Sequence, residues 1–367
     1  MNDETRNPDA AALHTPVLAD RIVALLAPSF VEPGSVLVDC TLGMGGHSEA
    51  VLDRLPESRV VGIDRDREAL DVAGRRLQRF GDRFVGVHAT YDELAQVLGD
   101  LGLPHVAGVL LDLGVSSLQL DRAERGFAYR FDSPLDMRMD SSRGATAADL
   151  LNQAPVEELT RILREYGEEK FARKLALEIV RSRETEPFDT SAALVELIYR
   201  VIPAPARRTG GHPAKRTFQA LRMAVNDELG GLERLLPAAL EAVGIGGRVV
   251  VEAYHSLEDR MVKRVFTEAT RSRAPEGLPI VPAGLEPPFR SVTRGAEVAD
   301  DQEIALNPRA ASVRLRAVER LHAGGLPRAE KPARASAQHT QRTAPHTRSA
   351  RTGAGRNRST RPGGGIR

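Results

Sequence analysis

Short apolar runs, each leading to a polar residue, recur along the first third of the chain. Four of them stand out: Val36–Val38, Arg59–Ile63, Phe84–Val87 and Val106–Leu111. The polar residues that follow them are Asp39, Asp64, Tyr91 and Asp112. Runs of this length, bounded by glycine and polar residues, indicate buried parallel strands. The pattern predicts a doubly wound α/β sheet, in which ligands bind at the carboxyl ends of the strands.

A different pattern occupies the middle of the chain. Between about residues 121 and 217 no strand pattern is evident, and apolar residues recur at helical spacing. One such set is Leu159, Ile162, Leu163 and Tyr166. A helix predicted at Thr217–Leu229 precedes the next strand, Gly247–Glu252, and an edge strand is predicted at Ser312–Val318. We therefore predict an α/β domain that is interrupted by an all-helical insertion.

These patterns assign the α/β domain to residues 1–121 and 218–321, and the helical insertion to residues 122–217. The remaining residues, 322–367, form a basic tail with nine arginines and one lysine against one glutamate, although the whole chain has a formal net charge of only +1. The tail has few large apolar residues, so we predict that it is disordered. Its charge suits a polyanion such as RNA, and a purely solubilising extension is an equal alternative.

Composition narrows the class of protein. The chain has 367 residues, 41% of them hydrophobic, which is enough for a sizeable core. No apolar stretch approaches the roughly 18 residues that a membrane span needs, and the acidic N-terminus has no signal-peptide pattern. The single cysteine, Cys40, excludes an internal disulfide. We therefore predict a cytoplasmic protein without a membrane partner.

The glycine-rich loop after the first strand predicts a nucleotide cofactor. It contains Gly43, Gly45 and Gly46, which let a ligand approach the backbone, and Asp39 lies at the tip of the strand. Ser48 stands where a dinucleotide fingerprint needs its third glycine. The carboxylate would also repel a pyrophosphate, whereas it suits the cationic end of S-adenosylmethionine. A turn without a ligand is the plain alternative.

Asp64 supports the cofactor hypothesis. It lies about 25 residues after Asp39, the distance at which an acidic residue meets the ribose hydroxyls of a bound nucleotide. We therefore favour a methyl donor over a dinucleotide.

Two residues at strand ends are candidates for the acceptor step. A ring-carbon methylation would need a cysteine nucleophile, but Cys40 lies inside the cofactor loop, so an exocyclic amine or a hydroxyl remains as the acceptor. Asp112 could hold the acceptor or the cofactor, and its alternative is a capping role in the following turn. His255 could orient a cytosine edge or accept a proton. The alternative is that His255 is only a turn residue. The helix that follows would then have Ser256 as its N-cap and Asp259 as the residue that bonds back to the cap.

A basic segment joins the insertion to the sheet. Lys215, Arg216 and Arg222 accompany the aromatic Phe218 there. Cations hold phosphates and an aromatic face can stack an unpaired base, which makes these four residues candidates for RNA binding. The alternative is an ordinary solvated helix face.

These segments together resemble the bacterial methyltransferases that modify a cytosine N4 amine in the decoding region of 16S ribosomal RNA. The strings that carry the resemblance are His14-Thr-Pro-Val-Leu18, Gly45-Gly46-His47-Ser48, Gly62-Ile-Asp64-Arg-Asp66, Leu110-Leu-Asp112-Leu-Gly-Val-Ser-Ser117, Gln119-Leu-Asp121, Arg125-Gly-Phe127, Pro134-Leu-Asp136-Met-Arg138-Met-Asp140, Tyr166-Gly-Glu168, His212-Pro-Ala, His255-Ser-Leu-Glu-Asp-Arg260 and Asn307-Pro-Arg-Ala310. They run from residue 14 to about 310, so the resemblance covers most of the chain.

The resemblance implies a class I S-adenosylmethionine-dependent methyltransferase fold, a Rossmann-like parallel sheet with an antiparallel edge, and the small ribosomal subunit as partner. We expect no metal site. The cofactor contacts that it implies are Gly45, Gly46, His47, Asp64, Tyr91, Asp112 and Gln119. The Asp-Pro-Pro-Tyr string of other amine methyltransferases is missing, so the residue that positions the cytosine amine stays open. A non-catalytic assembly factor and a small-molecule methyltransferase are the alternative functions, and the oligomeric state, a homodimer included, is open.

Overall fold

A computed structural model describes residues 16–207, 212–272, 274–275 and 284–323. Its strands are β1 (Val36–Asp39), β2 (Arg59–Asp64), β3 (Phe84–His88), β4 (Val106–Asp112), β5 (Val243–Ala253), β6 (Phe289–Ser291) and β7 (Arg314–Arg320). In the described residues they form one sheet in the order β3-β2-β1-β4-β5-β7-β6. Strands β1 to β5 pair in parallel, and β7 is antiparallel to both of its neighbours. This is the class I methyltransferase topology, so the predicted fold class is confirmed.

Helices connect the strands and form the middle of the chain. They are α1 (Ala19–Leu26), α2 (Gly46–Arg54), α3 (Arg67–Leu77), α4 (Leu94–Asp100), α5 (Ser117–Asp121), α6 (Ala147–Gln153), α7 (Val156–Glu165), α8 (Ala172–Arg183), α9 (Ser191–Val201), α10 (Ala204–Arg207), α11 (Ala214–Val225), α12 (Glu228–Ala242), α13 (Ser256–Ala269) and α14 (Asp301–Leu306). Short 3₁₀ turns cover Ala27–Ser29, Gln78–Arg83, Tyr91–Glu93, Ala123–Arg125 and Pro308–Ser312. None of the described helices has the length and apolar character needed to span a membrane.

The central strands are buried on both faces because their side chains alternate between two apolar layers. Leu37 and Leu110 pack in one cluster with α1, whereas Val38 and Val109 pack in the other with α12. Burying each such side chain stabilises the fold by roughly 1.5–3 kcal/mol. Two-sided burial explains why these strands read as continuous apolar runs.

The helical segment has an apolar cluster of its own, with members from Phe127 to Leu221. Helix α11 belongs to this cluster through Phe218 and Leu221, so the predicted boundary at residue 217 falls inside a helix. The single helix predicted at Thr217–Leu229 is wrong, since α11 ends at Val225 and α12 begins only after Asp227, which has a φ of 47°. The division into two domains stays a prediction.

Two further predictions concern the ends of the chain. The sequence predicts an opening helix with Thr15 as its N-cap and Pro16 as its first residue. The helix begins instead at Ala19, after Leu18 in the left-handed region at a φ of 47°, and Thr15 lies outside the described residues. The predicted disordered tail also lies outside them from residue 324 onward.

Candidate functional site

A cavity of about 500 Å³ lies at the carboxyl ends of β1, β2, β4 and β5. The strand order reverses beside β1, which is the place where open α/β sheets bind ligands. Eleven of the predicted site residues line it: Gly43, Gly46, His47, Asp64, Tyr91, Asp112, Gln119, Lys215, Phe218, Arg222 and His255. The lining does not include Asp39, Gly45 or Arg216. The structure thus brings most of the predicted cofactor residues to the same cavity as the acceptor candidates.

The glycine loop turns sharply between β1 and α2. Gly45 has a φ of 78° and stands at the N-cap of α2, where a side chain would be strained. A Cβ there would also lie 3.1 Å from the Leu77 side chain. Glycine at position 45 therefore shapes the loop, and Gly43 and Gly46 present its backbone to the cavity.

The Asp64 side chain at the end of β2 fixes the position of this loop through hydrogen bonds. Its carboxylate accepts hydrogen bonds from the backbone N–H groups of Gly43 and Asp66, both at 2.8 Å. Burial raises the pKa of Asp64 to about 6, although the two backbone N–H groups act in the opposite direction. The group is therefore ionised at neutral pH and titrates close to the physiological range.

Asp39 is buried behind the loop. It accepts hydrogen bonds from the Ser48 hydroxyl at 2.8 Å and from the Thr41 backbone N–H at 3.2 Å. Burial raises its pKa. Asp39 thereby ties β1 to the first turn of α2, a role that the sequence did not predict, and the cofactor contact predicted for it stays a prediction.

Three ionisable side chains meet beneath the cavity, and we call them the acid cluster: His47, Asp112 and Glu252. His47 Nδ1 lies 3.5 Å from an Asp112 oxygen, and its Nε2 lies 3.5 Å from a Glu252 oxygen. Nε2 is also 2.9 Å from the Val17 carbonyl, which can only accept, so this nitrogen carries a proton. Each of the three side chains has one nitrogen or oxygen atom of the kind that ligates metals, and these three atoms lie within 4.8 Å of one another.

Glu252 is the functional candidate that sequence reasoning missed. Its side chain is 0% exposed, and within the described residues neither carboxylate oxygen forms a well-aligned hydrogen bond, although the His47 ring and the Asp112 carboxyl group lie beside it. Burial, together with the charge of Asp112, raises its pKa well above the ordinary value. Burial also raises the pKa of Asp112, against the effect of His47. A glutamate inside the apolar run of β5 was the available signal, and burial at that position favours its neutral form.

Tyr91 and Gln119 are held by contacts of their own. The Tyr91 hydroxyl donates to the Glu228 carbonyl at 2.7 Å, and the Arg65 guanidinium lies 5.3 Å from its ring centre. The Gln119 amide donates to Asp66 at 3.1 Å. Both side chains are therefore fixed before any ligand arrives.

His255 caps α13. Its Nδ1 accepts from the Glu258 backbone N–H at 3.4 Å, and the Glu258 carboxylate accepts from the Tyr254 N–H at 3.0 Å. The predicted cap at Ser256 with Asp259 is therefore wrong, because Asp259 pairs with Arg316 at 2.7 Å instead. His255 combines the predicted turn role with a place on the cavity wall.

The four predicted RNA-binding residues differ in their surroundings. Lys215 and Arg216 are exposed in the first turn of α11. Arg222 forms a bidentate ion pair with Glu228 at 2.7 and 2.8 Å, so its charge is balanced within the protein. Phe218 is only 3% exposed and packs in the helical core. The RNA contacts of all four stay predictions.

Comparison with known proteins identifies close relatives. The model of the MraW methylase family matches residues 11–321. The chain is 68% identical over 311 residues to "Ribosomal RNA small subunit methyltransferase H" of Nocardioides sp., covering 85% of this chain and 98% of that protein. It is 58% identical over 308 residues to the protein of that name from Streptomyces avermitilis, covering 84% of this chain and 97% of the relative.

Proposed function

The chain belongs to the MraW methylase family, and from this premise we propose that it methylates the N4 amine of a cytosine in the decoding region of 16S ribosomal RNA. S-adenosylmethionine is the methyl donor, and the small ribosomal subunit is the partner. The observation that carries the proposal is one cavity lined by both the cofactor candidates, such as Asp64 and Tyr91, and the acceptor candidates Asp112 and His255.

The residues present fit this cofactor. When bound, S-adenosylmethionine supplies an electrophilic methyl carbon on a positively charged sulfur. Asp112 lines the cavity and would offer its carboxylate to such a cation. Asp64 is ionised at neutral pH and suits the ribose hydroxyls, and the Tyr91 ring is fixed for packing against the adenosine.

Asp112 is the proposed proton acceptor. A cytosine amine is a weak nucleophile because its lone pair is delocalised into the ring, so an acceptor at its N–H increases the electron density on nitrogen. The Asp112 side chain is 30% exposed and lines the cavity. Its raised pKa makes it a stronger base than an ordinary aspartate. Asp112 would accept the amine proton as the methyl group passes from the sulfonium to the nitrogen, which would leave a neutral thioether and a methylated amine.

Nucleoside mass analysis of 16S rRNA tests the proposal directly. RNA from cells that lack this chain should miss one methyl group on a cytosine, and the purified protein with S-adenosylmethionine should restore it as N4-methylcytidine. Restoration of growth by a protein that leaves the RNA unmethylated would favour the non-catalytic assembly factor. Methylation at ring carbon 5 would contradict the amine as acceptor.

His255 is proposed to orient the base, and two variants separate this role from helix capping. His255→Ala should lower single-turnover methylation by on the order of 10²-fold and cost about 1 kcal/mol of stability. His255→Asn keeps a capping oxygen, so it should retain the stability while it loses the rate. Rates and urea denaturation measure the two effects. A rate loss below about threefold in both variants would leave His255 with capping alone.

A further inference from the structure

Aromatic rings form a stack where the helical segment meets the cavity, and we call Tyr129, His212 and Tyr199 the aromatic ladder. The rings of Tyr129 and His212 are stacked, with centres 4.5 Å apart and planes 21° apart. Tyr199 meets His212 edge-on at 5.7 Å, and Phe218 meets Tyr129 edge-on at 5.7 Å. Tyr129 and Phe218 both line the cavity, whereas the cavity lining does not include His212 or Tyr199.

The ladder is held rigidly. His212 Nδ1 accepts a hydrogen bond from the Ala214 backbone N–H at 3.2 Å, and its Nε2 lies 3.3 Å from the Tyr199 hydroxyl. Burial and then the charge of Arg130 lower the pKa of His212, so the ring is neutral at physiological pH. Tyr129 is therefore backed by a fixed, uncharged ring, and little side-chain freedom remains to be lost when a ligand stacks on it.

A flipped-out base needs such a surface. An enzyme that modifies a base atom must extrude that base, and it compensates the lost stacking with aromatic or apolar side chains. The Asp-Pro-Pro-Tyr string by which other amine methyltransferases hold their acceptor is absent from this sequence. Tyr129 lines the same cavity as Asp112, and so does Lys215, an exposed cation of the kind that binds a backbone phosphate.

We propose that Tyr129 is the stacking surface for the acceptor base, with His212 and Phe218 as its support. The ligand class is an unpaired pyrimidine nucleotide of RNA. The inference rests on the proposed function, and it adds a substrate-binding residue that neither the sequence motifs nor the resemblance indicates.

Three variants test the stacking role by single-turnover methylation of small ribosomal subunits from cells that lack the chain. Tyr129→Leu keeps apolar volume without a ring and should lower the rate at subsaturating substrate by about 10- to 100-fold. Tyr129→Phe should restore it to within about threefold. Tyr166→Leu is the matched control, because Tyr166 is a half-buried tyrosine of the same helical part and is not among the residues that line the cavity. Cofactor titration and thermal melting verify that each variant is folded.

A spectroscopic measurement gives a readout that a purely structural role would not change. The parent protein, saturated with S-adenosylhomocysteine, is titrated with a single-stranded RNA that carries one pyrrolocytosine, whose emission falls when the base stacks on a ring. We expect quenching by the parent and by Tyr129→Phe, and RNA binding without quenching by Tyr129→Leu. A parent that methylates but does not quench, or a Tyr129→Leu variant with the parental rate, overturns the stacking role alone. A parent that does not methylate overturns the proposed function as well.

Discussion

At the scale of single residues, burial decides what each carboxyl group of the site can do. Asp64 and Asp39 both end parallel strands, yet Asp64 faces the cavity while Asp39 is enclosed by Ser48 and Thr41. Glu252 is fully buried beside His47 and Asp112, which favours its neutral form. Three acids at neighbouring strand ends thus have three different roles, which strand position alone does not distinguish.

Cofactor affinity should depend on pH through Asp64. The pKa of its carboxyl group is raised to about 6, so the ionised acceptor for ribose hydroxyls is present above pH 6 and is lost as the pH falls below it. We expect affinity for S-adenosylmethionine to decrease by at most about tenfold per pH unit below 6. Calorimetry between pH 5 and 8 measures this. Asp64→Asn should bind weakly throughout and show no inflection near pH 6, and a flat profile in the parent would contradict the ribose assignment.

At the scale of elements, α11 packs one face in the apolar core of the helical segment and presents a basic first turn. Its buried face packs with the helical cluster through Leu221, while Lys215 and Arg216 stay exposed. Arg222 lies almost two turns further along α11, and its charge is neutralised by Glu228. Within α11, the first turn is therefore the part that offers positive charge to a phosphate backbone.

Charge reversal of this first turn should weaken RNA binding without unfolding the helix. Lys215→Glu with Arg216→Glu places acids at a helix N-terminus, where they are favourable. We expect lower RNA affinity and a salt dependence of log affinity that is shallower by roughly 1–2 units, with cofactor affinity unchanged. The matched control is Lys170→Glu with Arg173→Glu, two exposed cations of the helical part that are not among the cavity residues. Equal salt slopes for the two double variants would contradict the assignment.

At the scale of the whole molecule, Arg125 ties the sheet to the helical part. Its guanidinium donates to Asp66 at 2.9 Å and to the carbonyls of Arg138 and Met139 at 3.1 and 2.9 Å. The segment that contains Arg138 and Met139 is also held by Asn226, whose side-chain oxygen accepts a hydrogen bond from the Met139 N–H at 2.8 Å. Asp66 also accepts from Gln119, so one buried carboxylate links the cofactor loops to the segment after β4.

Removal of Arg125 should therefore destabilise the protein strongly. Arg125→Ala leaves Asp66 buried with its main cationic partner missing, and we expect a loss of about 3 kcal/mol. Arg122→Ala is the control, because Arg122 forms an exposed ion pair with Glu68 that is worth about 1 kcal/mol or less. Urea denaturation of both variants measures the difference. Similar midpoints would show that the Arg125 contacts do not hold the two parts together.

The sequence by itself determined most of the fold. Each long strand is predicted within a few residues, because a strand buried on both faces leaves a continuous apolar run that depends only on neighbouring residues. The glycine loop and the polar residues at the strand ends are equally local signals, and they located the cavity. Strand β6, with three residues, is too short to leave such a signal.

Only the tertiary structure decided which side chains meet. Glu252 lies about 200 residues from His47, and Tyr129 lies more than 80 residues from the His212 ring that supports it. Arg222 looked like a free cation until α12 brought Glu228 beside it. Such contacts depend on how strand crossovers and packed helices bring distant segments together. The pattern of apolar and polar residues along the chain indicates which face of an element is buried, but it does not indicate which other element covers that face.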